Sequence, residues 1–412
     1  VGETALAGVG VCGPVVTLIG AFASLIGVGG APLMSIRMGA GKTEEARRIL
    51  SNSFLMLCVC SVALMAVVFP LRQPMLMAFG ASDATYGYAN TYFTVYLCGT
   101  VFNLLALGLN QFIICQGYAR KGMISVMLGA ALNIVLDPVF IFLFDMGVAG
   151  AAIATVFSQV VSAGMVTVAL LRQPEETRLS LKKIRFQGEL LKRILYVGVP
   201  AGLQFVTFDL ANTLIQSGIN SFGDVAVAAW TAYVKTDSLT WMISGAFGVS
   251  VTTFVGQNFG AQKYDRIRQS VWVCMGMSVA LTGAMSALVI TFRPFILGIY
   301  TADPAVIRLG AYVMAWTVPF NALFMPVEVF AGAMRGTGYS VVPTVITCMC
   351  VCVFRVVWIF TVVRTWHRIE LLAVCYPLSW LLAATVFAIV YFRGGWLRRR
   401  IAQCGMEPEV RG

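Results

Sequence analysis

The chain has 412 residues, of which 59% are hydrophobic and only 11% are charged, whereas a soluble domain carries about 25% charged residues. This composition excludes an ordinary soluble domain and predicts a protein that crosses a membrane several times. The net charge of +11 is a feature of many nucleic-acid-binding proteins, but the positions of the cations, described below, argue against that role.

Apolar runs long enough to cross a bilayer recur along the whole chain. We interpret them as helices, because lipid offers no water to satisfy an open backbone. The sequence therefore predicts an all-α polytopic membrane protein with eleven transmembrane helices. Their approximate limits, in chain order, are roughly 11–36, 49–70, 88–116, 122–144, 147–171, 195–221, 226–257, 270–292, 306–332, 340–363 and 369–392.

One connection, residues 172–194, is long and charged, and it divides the chain into two halves. We predict an N-terminal lobe over 1–171, a C-terminal lobe over 195–393 and a tail over 394–412. The linker, the tail and alternate loops carry 22 basic residues, against 5 in the opposite loops. By the positive-inside rule, the linker and the C-terminus are cytoplasmic in a multi-pass protein of a bacterial-type plasma membrane. The basic surplus is thus a topology signal, and no nucleic-acid partner is expected.

The two halves are repeats of one another, because the segment MGAGKTEEAR aligns without a gap to FGAQKYDRIR at an offset of 221 residues. The second half has six predicted helices and the first has five, so we expect a twelfth helix before Val1. Both repeats then start on the same side of the membrane, as parallel repeats do. Near an offset of 220, the alignment places Gln116 and Gly117 on Arg335 and Gly336, and Asp83 on Asp303.

Several motifs follow one another in the order found in one transporter family. They are GETALAGVG, SIRMGAGKTEEARR, QGYARKGM, NIVLDPVFIF and GVAGAAIAT in the first half, and GVPAG, AVAAWTAYVKTDSL, TTFVGQNFGAQ and MRGTGYS in the second. On these motifs the chain resembles the multidrug and toxic compound extrusion (MATE) family over nearly its whole length. The resemblance implies two six-helix lobes around a central cavity, and export of organic compounds coupled to inward flow of H⁺ or Na⁺. It also implies that a helix carrying a functional Asp precedes this sequence.

Asp137 is a strong candidate for ion binding, because a carboxylate at bilayer depth is costly unless it faces protein or water. Asn133 lies one helical turn earlier and shares its face. Pro138 has no N–H, so it leaves the carbonyl oxygen of Ile134 without its helical donor, and we expect a helix hinge there. A carboxylate, an amide oxygen and a free carbonyl oxygen together make a plausible site for a hard cation.

The next helix, which begins GVAGAAIATVFSQ, offers further ligands. Its small residues allow a close approach to the neighbouring helix, and Thr155 lies about one turn from Ala151. The resemblance implies that Asn133, Asp137 and Thr155 form a cation site. Sequence does not decide between H⁺ and Na⁺, and the structural alternative is a protonated Asp137 that hydrogen-bonds inside the bundle.

Four residues of the second half are candidates for a second cation or substrate site. Asp209 lies on the helix that opens this half, with Gln204 as a polar neighbour. Lys235 and Asp237 lie two residues apart on the next helix, where that spacing places them on nearly opposite faces and prevents them from pairing with each other. Structural or gating contacts to other helices are the favoured interpretation for these two, and solvation in a wet part of the cavity is a further alternative. Further along, a bridge between Glu328 and Arg355, on adjacent helices, is a hypothesis.

The sequence contains no constellation of catalytic residues and no metal motif, so no enzyme activity and no cofactor other than the coupling ion are expected. The segment GKT at 41–43 lacks the upstream glycine of a phosphate-binding loop, because position 36 is Ile36. We predict a monomeric exporter of small organic compounds, cationic and lipophilic, that works in the lipid bilayer by antiport with H⁺ or Na⁺. A flippase for lipids or lipid-linked precursors, of related fold, is the alternative.

Overall fold

The computed structural model of the chain describes residues 2–180 and 186–405, and these residues are almost entirely helical. Neither range contains a β-strand. The helices before the linker are α1 (Glu3–Val11), α2 (Gly13–Gly39), α3 (Thr43–Ala78), α4 (Asp83–Cys98), α5 (Thr100–Cys115), α6 (Ala119–Pro138) and α7 (Gly147–Leu171). A π-helical turn, Val139–Leu143, extends α6.

The helices after the linker include several that are interrupted. They are α8 (Gly188–Asn220), α9 (Asp224–Gly260), α10 (Tyr264–Thr291), α11 (Arg293–Tyr300), α12 (Pro304–Thr317), α13 (Met325–Gly336), α14 (Val341–Thr347), α15 (Phe354–Trp358), α16 (Arg364–Trp366), α17 (Ile369–Arg393) and α18 (Trp396–Gln403). A 3₁₀ segment, Val318–Phe324, joins α12 to α13. Two π-helical segments, Cys348–Val353 and Ile359–Val363, join α14 to α15 and α15 to α16.

Within the described ranges, ten helical stretches are each long and apolar enough to cross a bilayer, and the bent pair α4 and α5 makes an eleventh. The eleven predicted spans and the all-α membrane fold are therefore confirmed. The pair bends by 57° at its junction, a break that the continuous apolar run did not predict. A Cβ at Gly99 would lie 2.5 Å from Cγ2 of Val156, so the junction residue must be small to pack on α7.

The chain divides into two compact units, Val1–Gly202 and Leu203–Gly412, which we call unit 1 and unit 2. In unit 1, α2 packs against α3 and α5, and α7 packs against α5 and α6. In unit 2, α9 packs against α10, α12 and α13, and α17 packs against α12 and α13. The division falls inside α8, whereas the charged linker predicted it at 172–194; those sequence-based boundaries stay a prediction.

The first part of α8 lies in unit 1 because glycines allow it to approach α2 closely. A Cβ at Gly29 would lie 2.5 Å from the carbonyl oxygen of Ile194 and 2.9 Å from Cα of Gly198. Small residues at such crossings bring backbones together where lipid supplies no hydrophobic driving force between helices. Side chains larger than hydrogen at these two glycines would separate α2 from the start of α8.

The repeat is visible in the backbone hydrogen bonds. In the first repeat the N–H groups of Gly41 and Lys42 donate to the carbonyl oxygens of Met38 and Arg37, at 3.0 and 2.9 Å. The same two bonds recur 221 residues later, where the N–H groups of Gln262 and Lys263 donate to Phe259 and Asn258, at 3.1 and 2.9 Å. The turn after the first long helix of each repeat thus has one geometry.

The structure shows that equivalent residues are still 221 positions apart at the turn after α5, where the sequence alignment used a smaller offset. The N–H of Tyr118 donates to Ile113, and the N–H of Tyr339 donates to Met334, each at 3.1 Å. Gly117 and Gly338, which precede these tyrosines, both have positive φ angles, of 90° and 77°. The alignment of Gly117 with Gly336 was therefore wrong by two residues.

The sequence alignment of Asp83 with Asp303, at the starts of α4 and α12, was wrong by one residue. Ser82 is the N-cap of α4, and Asp303, 221 residues later, is the N-cap of α12. The carboxylate of Asp303 accepts a hydrogen bond from the N–H of Ala305 at 2.8 Å. Asp303 therefore corresponds to Ser82 and not to Asp83, since each is the N-cap residue of the equivalent helix in its repeat.

Candidate functional site

Asp137 lies near the end of α6, one residue before Pro138, and its side chain is half-buried. The helical stretch Ala119–Leu143 continues through the proline as one span. Asp137 is thus a carboxylate within a membrane-crossing helix that stays partly accessible, which is the position expected for an ion-binding group.

The proline changes the local helix type. Beyond Pro138 the chain continues as the π-helical turn Val139–Leu143, in which the N–H of Phe144 donates to the carbonyl oxygen of Val139 at 3.0 Å. Because proline has no N–H, the oxygen of Ile134 loses its usual helical donor. π-Helical turns within helices are frequent at functional sites, and the hinge role of Pro138 stays a prediction.

Asp137 belongs to a hydrogen-bonded group of three side chains. We call these three residues, Asn133, Asp137 and Thr155, the α6–α7 triad. The Nδ2 group of Asn133 donates to Oδ1 of Asp137 at 3.2 Å and to Oγ1 of Thr155 at 3.5 Å. The hydroxyl of Thr155 donates in turn to the carbonyl oxygen of Ala151 at 2.9 Å. The four sequence-predicted residues of this site therefore lie together.

Small residues of α7 make this proximity possible. A Cβ at Gly150 would lie 2.7 Å from the carbonyl carbon and oxygen of Phe140, in the π-helical turn. The carbonyl oxygen of the next residue, Ala151, accepts the hydrogen bond from the hydroxyl of Thr155. The approach of α7 to the end of α6 at Gly150 thus sets the position of Thr155 opposite Asn133.

A tyrosine that the sequence analysis did not select also reaches this site. Tyr92 of α4 is half-buried, and its hydroxyl lies beside the hydroxyl of Thr155. Its ring stacks on Tyr96 with centroids 6.2 Å apart, and the Tyr96 hydroxyl accepts a hydrogen bond from Nδ2 of Asn103. The i, i+4 spacing of the two tyrosines was a signal of a shared face, but only the tertiary fold brings that face to Thr155.

The donor set around Asp137 is rich in oxygen and lacks a fixed cation. Carboxylate, hydroxyl and carbonyl oxygens come from Asp137, Thr155 and Ala151, while the amide of Asn133 donates to the first two, and hard cations prefer oxygen ligands. No Lys or Arg within residues 2–180 and 186–405 forms an ion pair with Asp137. The same ranges contain no group of three or more His, Cys, Asp or Glu residues fit to hold a metal ion.

Unit 2 contains a second polar cluster, around Asp237 of α9. Only 7% of Asp237 is exposed. Its Oδ1 accepts a hydrogen bond from Nδ2 of Asn321 at 2.8 Å, and its Oδ2 accepts one from Nε1 of Trp241 at 2.9 Å. Asn321 also donates to Oγ1 of Thr240 at 3.2 Å. Asn321 was not selected from the sequence, because it lies 84 residues from Asp237 and shares no helix with it.

The other second-half candidates do not join this cluster. Asp209 and Lys235 are exposed and Gln204 is half-buried, and no hydrogen bond or ion pair in the described part of the chain joins any of them to Asp237. Lys235 and Asp237 lie on different faces of α9, one exposed and one buried, as their spacing predicted. The structure thus separates the four candidates that the sequence grouped as a second cation or substrate site.

The hypothesis of a bridge between Glu328 and Arg355 was wrong. Glu328 forms an ion pair with Arg335 on its own helix, α13. Arg355, of which only 1% is exposed, donates from Nε to Oγ of Ser379 at 2.9 Å. Its guanidinium carbon lies 3.9 Å from the ring centroid of Tyr376, a cation–π contact. The two residues therefore face different neighbours.

The MatE family profile matches residues 1–139 and 200–361, which is more than half of the chain. The chain belongs to the MATE family. The matched ranges include Asn133, Asp137 and Pro138 but not Thr155. This membership makes the chain a multi-pass transporter of a multidrug efflux family, as the motifs predicted.

Curated relatives and solved structures agree with this assignment. The Multidrug export protein MepA of Staphylococcus aureus (strain NCTC 8325 / PS 47) is 24% identical over 326 residues, covering 79% of this chain and 72% of its own. MepA of Staphylococcus haemolyticus (strain JCSC1435) is 22% identical over 325 residues, with the same shares covered.

Among solved structures, a MOP superfamily transporter from Pyrococcus furiosus matches with a TM-score of 0.90 at 23% identity, over 98% of this chain and 90% of its own. A MATE structure in the bent conformation matches with a TM-score of 0.89 at 24% identity, over 97% of this chain and 90% of its own. At these identities the structural matches show that the MATE fold is shared.

Proposed function

We propose that this MATE transporter exports organic, lipophilic cations across the plasma membrane by antiport, and that the coupling ion, H⁺ or Na⁺, binds at Asp137. The observation that carries the proposal is the α6–α7 triad, which holds a half-buried carboxylate against an amide and a hydroxyl without a fixed counter-charge. The name Multidrug export protein, carried by the MepA relatives, supports the choice of cargo.

Each residue of the triad has a distinct role in this proposal. Asp137 takes the proton or the cation, and binding neutralises its negative charge. Asn133 orients the carboxylate and connects it to Thr155 of α7. The hydroxyl of Thr155 is fixed in turn by its hydrogen bond to the carbonyl oxygen of Ala151. The π-helical turn after Pro138 packs closely against Gly150. A displacement of the backbone near Asp137 on ion binding therefore moves α7 as well, because the contact is tightly packed.

The orientation of the protein is part of the proposal. The linker and the C-terminus lie in the cytoplasm, since most loop cations are on that side. The protein works as a monomer and takes its energy from the ion gradient, with no cofactor beyond the ion.

The test uses purified protein in proteoliposomes with a fluorescent lipophilic cation as cargo. An imposed Na⁺ gradient and an imposed pH gradient are applied separately, and one of them is expected to drive accumulation of the dye. Accumulation under neither gradient would refute the proposal. Scrambling of a labelled phospholipid without dye transport would support the flippase alternative instead.

The ion site is tested by Asp137→Asn, with Asp145→Asn as the matched control. Asp145 is an exposed carboxylate that lies just beyond the π-helical turn, eight residues from Asp137. Gradient-driven accumulation is expected to be lost in the first variant and kept in the second. Equal loss in both variants would show that the effect does not depend on the triad.

A further inference from the structure

The Asp237 cluster has the same chemistry as the α6–α7 triad but differs in one respect. In each unit an Asn Nδ2 group donates to both an Asp carboxylate and a Thr hydroxyl, with Asn133 in unit 1 and Asn321 in unit 2. The two clusters do not occupy positions related by the 221-residue repeat, so they are independent arrangements. Unit 2 adds a guanidinium, because Arg355 is buried nearby.

Asp237 and Arg355 belong to one buried cluster. Trp380 lines the same small cavity as Asp237, and the guanidinium carbon of Arg355 lies 5.8 Å from the centroid of the Trp380 ring. The same guanidinium lies over the ring of Tyr376, whose centroid is 5.9 Å from that of Trp380. The cluster thus contains one buried carboxyl group and one buried guanidinium.

Arg355 is held by Ser379 and Tyr376 of α17 and not by an ion pair with Asp237. Nε of Arg355 donates to Ser379, and its planar group lies over Tyr376, so it cannot leave without breaking both contacts. Nη2 of Arg355 has no hydrogen-bond partner among the described residues. A fixed positive charge thus lies against Trp380, which lines the cavity beside Asp237.

The cavity beside Asp237 still has unused polar groups. Asn321 is 2% exposed and its Oδ1 has no partner within the described ranges, and the same is true there of Oγ of Ser244 and Nε1 of Trp380. All three residues line the cavity. Two acceptors and one donor around a small space suit a water molecule, which forms about three hydrogen bonds in such sites.

We propose that Arg355 is a tethered cation that takes the place of a mobile ion in unit 2, so that the cavity beside Asp237 binds water and ion coupling is confined to Asp137 in unit 1. A mobile cation entering this cavity would place a second positive charge beside a buried guanidinium, which the surrounding protein cannot solvate. Arg355 thereby determines how many ions the transporter uses. The inference extends the proposed function by restricting its ion site to one unit.

The test counts ²²Na⁺ bound to the purified full chain at equilibrium. Removing the tethered charge with Arg355→Gln is expected to tighten Na⁺ binding beside Asp237 at least about tenfold, so that the variant binds one more Na⁺ than the wild type. The double variant Arg355→Gln with Asp237→Asn is expected to lose that added site. Arg355→Lys, which keeps a positive charge, is expected to add none. A folded Arg355→Gln protein that gains no Na⁺ would overturn the inference.

The result stays interpretable if Na⁺ is not the coupling ion. A wild type that binds no Na⁺ leaves H⁺ as the coupling ion, and Arg355→Gln must still gain its Na⁺ site. If Arg355→Gln does not fold, wild-type crystals soaked in Rb⁺ provide the second test, since no anomalous peak is expected beside Asp237. A Rb⁺ peak at that position would overturn the inference without affecting the proposed role of Asp137.

Discussion

Gly150→Ala tests whether the approach of α7 to the π-helical turn maintains the α6–α7 triad. The new methyl group would lie 2.7 Å from both the carbonyl carbon and the oxygen of Phe140, about 1 Å closer than ordinary contact allows. Because the obstacle is backbone, α7 must move away, and overpacking of this kind costs about 1–3 kcal/mol. For a unit of this size, that corresponds to a fall of roughly 2–12 °C in the apparent melting temperature.

The matched control is Gly164→Ala on the same helix. Gly164 is exposed, and a Cβ there meets nothing within 4 Å, so its substitution is expected to leave the melting temperature unchanged or raise it slightly. Melting is followed by tryptophan fluorescence in detergent, and ion dependence by dye accumulation in proteoliposomes. If Gly150→Ala melts like the control and keeps its ion dependence, the close approach does not position Thr155.

Three further predictions follow from single contacts. Thr155→Val removes the hydroxyl beside Asn133 and is expected to raise the ion concentration that gives half-maximal transport about tenfold. Thr155→Ser keeps the hydroxyl and should stay near wild type. The same half-maximal concentration in both variants would contradict the role of the hydroxyl. Asn321→Ala removes one hydrogen-bond donor from Asp237 and should lower the free energy of unfolding by about 1–3 kcal/mol. The loss should be measured as a lower melting temperature, and an unchanged melting temperature would show that the bond is dispensable. Reversal of both charges in the pair Glu328 and Arg335 should recover part of the melting temperature that either single reversal loses, and no recovery would argue against a functional pair.

Local spacing was enough to predict one part of the candidate site. Asn133 and Asp137 lie four residues apart on one helix, so their shared face follows from helix geometry. Trp241 lies four residues after Asp237 and donates to it for the same reason. Tyr92 and Asn321 could not be found in this way, because they reach Thr155 and Asp237 from other segments of the chain.

The errors in the sequence analysis also have local causes. The alignment near Gly117 slipped by two residues because it matched glycines without testing which of them has a positive φ angle. Glu328 was matched with Arg355 because both lie in apolar spans, although Arg335 stands two helical turns from Glu328 on the same helix. The bend at Gly99 was missed because hydropathy averages over a window and does not register the contact with Val156.

The central claim is that Asp137 couples transport to the ion gradient. The most direct test compares gradient-driven accumulation with substrate exchange at equal ion concentrations, in wild-type protein and in Asp137→Asn. The account predicts that the variant still exchanges labelled substrate across the membrane but no longer accumulates it when a gradient is imposed. Accumulation by Asp137→Asn at the wild-type level would contradict the account.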